Sequence, residues 1–166
     1  EVSLTHKVRH ISWVDTNKLL LTVVEGKKLT AHFFDLNTKE FERISEQYVS
    51  AAQMVDSENV ALLDPNYSVS IMNVKTKKIV NKLKLGISKP LGWSIMDGQI
   101  YFLREKANLY QVPVFGNDTD IKLINKDMSR STNFLKAQNY NGQVKLFMNN
   151  YPIKSNNLID IKILAE

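Results

Sequence analysis

The sequence contains no cysteine, so no disulfide framework holds the fold and no thiolate site binds a metal. Glycine is scarce, six in 166 residues, and neither a phosphate-cradling glycine loop nor a Gly-x-Ser-x-Gly elbow occurs. No apolar run approaches the ~18–20 residues of a membrane-spanning helix, and the start lacks the charged-then-apolar pattern of a signal peptide. Histidine is limited to His6, His10 and His32. His6 and His10 share a strand face but lie about 13 Å apart at the strand rise, too far to hold one metal. His32, between Ala31 and Phe33, reads as a core histidine. No nucleophile–base order can be built from these residues, so the chain is expected to be no enzyme and to carry no cofactor.

What is present suits one globular domain spanning 1–166: 43% hydrophobic and 23% charged residues, long enough to bury a core. The net charge of +5 leans toward anionic partners. The lysines are scattered, so the domain is not expected to contact nucleic acid. The first residue is Glu1 rather than Met, which fits a processed chain or an excised domain.

The informative feature is a repeat. Asp15, Asp56 and Asp97 are spaced 41 residues apart, and each opens a turn between two apolar runs. The surrounding text recurs as "SWVDTNKLLLTVV", "QMVDSENVALL" and "SIMDGQIYFL", then as "QNYNGQVKLFM" around Asn141. A period near forty residues built of short strands is the signature of propeller blades. The predicted fold is all-β and propeller-like, with about four four-stranded antiparallel blades. They fall at roughly 11–44, 51–85, 91–124 and 135–164, with residues 2–8 as the first strand completing the last blade. The alternative is half of an eight-blade ring, completed by a second copy as a homodimer or by chain outside this sequence. Asp97-Gly98 and Asn141-Gly142 are strong hairpin signals, and Pro113 predicts an edge or a bulge. The segment "EQYVSAAQMV" has helical spacing but sits at a strand entry of the repeat, so it is read as strand.

A second match lies inside each unit: "FFDLNTKEFERI" and "IMNVKTKKIVNKL". Both are similar to the Asp-x-x-Thr-Gly-Lys turn between the last two blade strands in propellers of the WD-repeat, quinoprotein-like and surface-layer-like class. Lys39 and Lys77 stand near where glycine is usual, and the Trp-Asp dipeptide that ends WD-repeat blades is absent. The resemblance implies an interaction or sensing module with a protein partner. One version is the extracytoplasmic sensor domain of a membrane-anchored transcriptional regulator, which favours an extracytoplasmic or periplasmic location over the cytoplasm. The other class is an enzyme, or an enzyme accessory domain, with a pocket in the central channel.

Each candidate residue has a plainer explanation beside the functional one. Turn aspartates bond the backbone two residues on, and "GNDTD" (116–120) is explained by a polar turn. The triplets at Asn66 and Asn117 fit glycosylation but arise often by chance. Trp13, Trp93, Phe33, Phe34, Tyr101, Phe102, Phe115 and Phe147 are expected to pack between blades. Tyr67 and Tyr151 lie in loops and are candidate partner contacts. Lys82 and Lys84 share an outward face opposite Leu83 and Leu85, protecting an outer edge or meeting an acidic partner or a lipid surface.

Overall fold

The computed structural model describes residues 7–87, 92–104, 108–126, 134–149 and 161–162. The chain divides into two compact units, Glu1–Lys82 and Leu83–Glu166. Four antiparallel sheets follow one another along it. The first holds β1 (Val8–Trp13), β2 (Lys18–Glu25), β3 (Lys28–Asp35) and β4 (Phe41–Arg43), in that order. The second holds β5 (Ala51–Met54), β6 (Asn59–Leu63), β7 (Ser68–Asn73) and β8 (Ile79–Lys84). The third runs β9 (Trp93–Met96), β10 (Gln99–Arg104), β11 (Asn108–Pro113) and β12 (Lys122–Asn125). In the fourth, β13 (Phe134–Tyr140) and β14 (Gln143–Asn149) are joined by β15 (Ile161–Lys162).

Turn chemistry sets these boundaries. Asp97-Gly98 and Asn141-Gly142 each close a two-residue hairpin, with φ at all four residues between 50° and 79°. That is the doubly left-handed turn whose twist suits antiparallel strands. At the equivalent place in the first two sheets a longer turn is used. There Val14 N–H donates to Lys18 O and Val55 N–H to Asn59 O, both at 2.9 Å.

Consecutive buried residues in the second strand of each of the first three sheets show why both sheet faces must be covered. In β2, Leu20 to Val23 are all fully buried. Alternate side chains point to opposite faces. Within the first unit, Leu20, Ala31 and Phe33 pack with Ala52, Val60, Leu62 and Met72 of the second sheet. The other face of the first sheet carries Leu21, Val23 and Phe34, with Phe41 beside them. Each such side chain contributes about 1.5–3 kcal/mol by leaving water. In the second unit, Tyr101, Leu103 and Leu109 of the third sheet meet Leu135, Ala137 and Leu146 of the fourth.

The strand reading of "EQYVSAAQMV" holds, since β5 begins at Ala51. Two details differ from expectation. Lys7 and Val8, assigned to the strand completing the last blade, belong to the first sheet: Val24 N–H donates to Lys7 O and Val8 pairs with Val23. The register of the pair shifts by one residue between Val8 and His10, an irregularity of the β-bulge kind. Residues 1–6, and with them the pairing of the chain ends, lie outside the described residues. Pro113 is not on an edge strand, because β11 has neighbours on both sides. It is tolerated as the last residue of β11, beyond the final β12 pair at Gln111–Lys122.

Candidate interaction surface

The turn carboxylates are engaged by backbone. Asp15 Oδ1 accepts from Asn17 N–H at 2.7 Å, and Asp56 Oδ1 accepts from Glu58 and Asn59 N–H, both at 2.8 Å. Burial alone would raise the Asp56 pKa; hydrogen bonds from the Asn59 side chain and these two amides outweigh it and hold the carboxyl below its ordinary value. Asp97 behaves differently. It sits at φ 50° in a tighter turn, and its Oδ2 accepts from Asn139 Nδ2 at 3.1 Å. The same Asn139 accepts from Gly142 N–H through Oδ1, so one side chain ties two repeat-equivalent turns together.

"GNDTD" folds into one 3-10 turn, Asp118–Asp120, closed by a reciprocal cap between Asn117 and Asp120. Asp118 Oδ1 accepts from Lys84 N–H at 2.8 Å. A Cβ at Gly116 would lie 2.9 Å from Asp120 Oδ2 and 3.2 Å from Pro113 O, so a larger residue there would displace the Asp120 carboxylate. Among the described residues, no group of three or more His, Asp or Glu side chains is placed to hold a metal ion.

The outer turns repeat closely. Asp35 Oδ1 accepts from Asn37 and Thr38 N–H at 2.8 and 3.0 Å; Asn73 Oδ1 accepts from Lys75 and Thr76 N–H at 3.2 and 3.0 Å. The amides of Thr38 and Asn37 lower the Asp35 pKa. Lys39 and Lys77 take left-handed φ of 63° and 58°, the conformation for which glycine is usual. Lys75 pairs with Glu58 at 3.5 Å and Lys77 with Glu42 at 2.9 Å. Farther along β8, Lys82 and Lys84 are exposed while Leu83 and Leu85 are fully buried, so the expected alternation is found. Beside the start of β8, within the first unit, lies an open cleft of about 280 Å³ walled by Arg43, Ile44, Met72, Lys77 and Ile79. Arg43 is fixed there by Glu25, 3.3 Å away, and by Glu46 at 3.1 Å. Glu25 also holds the buried His32, with Nε2 at 3.1 Å, so this histidine is the paired core residue expected.

The aromatic residues depart from expectation most. Trp93, Phe33, Phe34, Tyr101 and Phe102 are buried, but Trp13 is 66% and Phe115 59% exposed. Ile11, two residues before Trp13 on the same face of β1, is 55% exposed. Their sheet partners are Leu21 and Leu19 on β2, and no described strand follows on the other side of β1. An edge position leaves half of such a side chain without neighbours. The sequence offered one signal: the charged Arg9 falls on the exposed side of β1 with Ile11 and Trp13. Tyr67 is half-buried with φ 60°, in a turn where Asp64 Oδ1 accepts from Asn66 and Ser68 N–H. Tyr151 lies outside the described residues.

Among the described residues no helix is long and apolar enough to cross a membrane. No family model matches the sequence, and no curated protein matches it. Solved structures resemble it in fold. The C-terminal WD40 domain of Sif2 is 12% identical, with a TM-score of 0.57 over 90% of this chain and 42% of that one. BamB from Moraxella catarrhalis is 13% identical, with a TM-score of 0.54 over 84% and 39%. A chain of the S. cerevisiae assembly of Dbp5 with Nup159, Gle1, IP6 and ADP is 11% identical, with a TM-score of 0.52 over 93% and 42%. The chain thus spans about two-fifths of the length of each structure it matches. At such identity the likeness is one of fold. It is a WD-like β-propeller fold.

Proposed function

We propose that the chain is a non-catalytic protein-interaction or sensing module. Its contacts are made by Trp13, Ile11, Lys82 and Lys84, which the fold leaves exposed, by the half-buried Tyr67, and by Tyr151, which lies outside the described residues. The observation that carries this reading is Trp13. A tryptophan two-thirds in solvent on an edge strand, next to an exposed isoleucine, does little for the monomer. The same indole, desolvated in a partner's pocket, is the commonest kind of binding hot spot.

The finer form of the proposal is the extracytoplasmic sensor domain of a membrane-anchored transcriptional regulator, supported by the resemblance of the outer blade turns. The flanking sequence of the parent gene tests it. An upstream membrane span with a winged-helix pattern agrees; a catalytic domain in its place overturns it.

The interaction reading is tested by placing a photo-crosslinking residue at positions 13, 67 and 82, with exposed Asn37 as the control, in cells of the source organism. A discrete protein adduct from position 13 that is absent from position 37 is expected. No adduct from any of the three overturns the reading. Trp13→Ala should remove the adduct seen from a second contact position while changing stability by no more than about 0.5 kcal/mol, the usual range for surface substitutions.

A further inference from the structure

The third and fourth sheets turn on the same two-residue design with one letter changed. Asp97-Gly98 joins β9 to β10 and Asn141-Gly142 joins β13 to β14. All four residues are exposed and hold left-handed φ. Asn141-Gly142 is the one Asn-Gly pair in the sequence. Asparagine is a chemically labile residue, most of all before glycine, where no Cβ shields the next amide nitrogen. At Gly142, nothing beyond the adjoining residues lies within 4 Å of where a Cβ would stand.

One contact restrains that nitrogen. Asn139 Oδ1 accepts from Gly142 N–H at 3.0 Å, while Asn139 Nδ2 donates to Asp97 Oδ2 at 3.1 Å. Attack by Gly142 N on the neighbouring side chain requires loss of its proton, so the bond to Asn139 must open first. Asp97 shows that the turn accepts a carboxylate in place of the amide. It takes φ 50°, against 52° at Asn141.

We propose that Asn141 is a site of spontaneous deamidation and that Asn139 sets its rate. Gly142 N gives up its proton and bonds to Cγ of Asn141. The bond from Cγ to Nδ2 breaks, and ammonia leaves with that proton. Water then opens the five-membered imide. Opening at the Cγ carbonyl gives aspartate, which keeps the hairpin and adds a negative charge beside Asp97. Opening at the backbone carbonyl gives isoaspartate, which lengthens the main chain by one methylene. The pairs of β13 and β14 run without a break from Phe134–Asn149 to Tyr140–Gln143, so those nearest the turn must then shift. The reaction requires no partner and stands apart from the interaction reading.

The intact chain is incubated at neutral and at mildly alkaline pH, digested and read by mass spectrometry, with isoaspartate identified by its methyltransferase. Exposed Asn37, Asn66 and Asn117, each followed by a residue with a Cβ, are controls in the same digest. Asn141 should convert ahead of all three, give both products, and speed up with pH. Asn139→Ala should raise its rate about fivefold, the factor carried by one hydrogen bond of ordinary net strength. The controls should keep their rates, including Asn117 in the same unit, which a general loosening of the fold would accelerate. In urea that unfolds the chain, parent and variant should convert alike. Conversion of Asn141 no faster than the controls, or to aspartate alone, overturns the site. Both readings use the unmutated chain, so a variant that folds poorly does not blur them. A parental rate in Asn139→Ala, or an acceleration that persists in urea, overturns the role of Asn139.

Discussion

Two lysines sit where the backbone asks for glycine, and the sign of a glycine–alanine comparison tests the turn that demands it. In the first sheet Asp35 N–H donates to Glu40 O at 3.1 Å and Lys39 N–H to Asp35 O at 2.9 Å. In the second, Asn73 N–H donates to Lys78 O and Lys77 N–H to Asn73 O, both at 2.9 Å. Both pairs of bonds require the chain to turn through left-handed φ, 63° at Lys39 and 58° at Lys77. A residue with a Cβ pays about 1–2 kcal/mol there. Glycine escapes that strain but loses about 0.5–1 kcal/mol through the extra freedom of its unfolded chain. Glycine should therefore be more stable than alanine at positions 39 and 77 by about 0.5–1 kcal/mol. Both replacements delete the same lysine side chain, so the Lys39 bond to Leu36 O and the exposed Lys77–Glu42 pair cancel from the comparison. At the exposed strand position Lys82 the order should reverse, because φ there is ordinary for a strand. Gly98→Ala and Gly142→Ala supply the converse. A Cβ at either meets nothing within 4 Å, so only the φ of 70° or 79° opposes it. Each should cost about 1 kcal/mol. Urea midpoints at equal m values measure all of these. Alanine as stable as glycine at both 39 and 77 would falsify the reasoning.

Ser94 and Ala137 are fully buried, and Ala137 N–H donates to Ser94 Oγ at 2.9 Å. Ser94→Ala should cost about 1–3 kcal/mol by leaving that amide unsatisfied, and hydrogen exchange at Ala137 should speed up; an unchanged midpoint refutes it. Acid stability follows the turn carboxylates. Asp35 and Asp56 titrate below their ordinary 3.8 in the folded chain, so as pH falls the unfolded chain binds those protons first. Their contribution is complete above that value and disappears as pH falls through the folded pKa values. Asp35→Ala with Asp56→Ala should flatten the loss of stability below about pH 4, and an acid limb of undiminished slope counts against it.

The repeat was legible because turn chemistry is local. Asp15 and Asp56 bind amides within three residues, and Asp35 and Asn73 do the same in the outer turns. Asp97-Gly98 and Asn141-Gly142 need only their own dihedral angles. The alternation of β8 was equally readable, since period-two geometry places Lys82 and Lys84 opposite Leu83 without reference to anything else. The exposure of Trp13 was not. Strand parity tells which side chains share a face, but not whether another strand covers it, and the edge position of β1 settles that.

By itself the sequence determined the number of sheets, the order of strands within them, and the turn residues that join them, because these depend on contacts a few residues apart. Tertiary structure alone decided that Asp118 reaches the amide of Lys84, 34 residues away in sequence, and that Asn139 joins the turns at Asp97 and Gly142. It also decided that Trp13 stays in water while Trp93 is buried. Burial and long-range hydrogen bonds are properties of neighbours in space, and a residue's own letters do not name those neighbours.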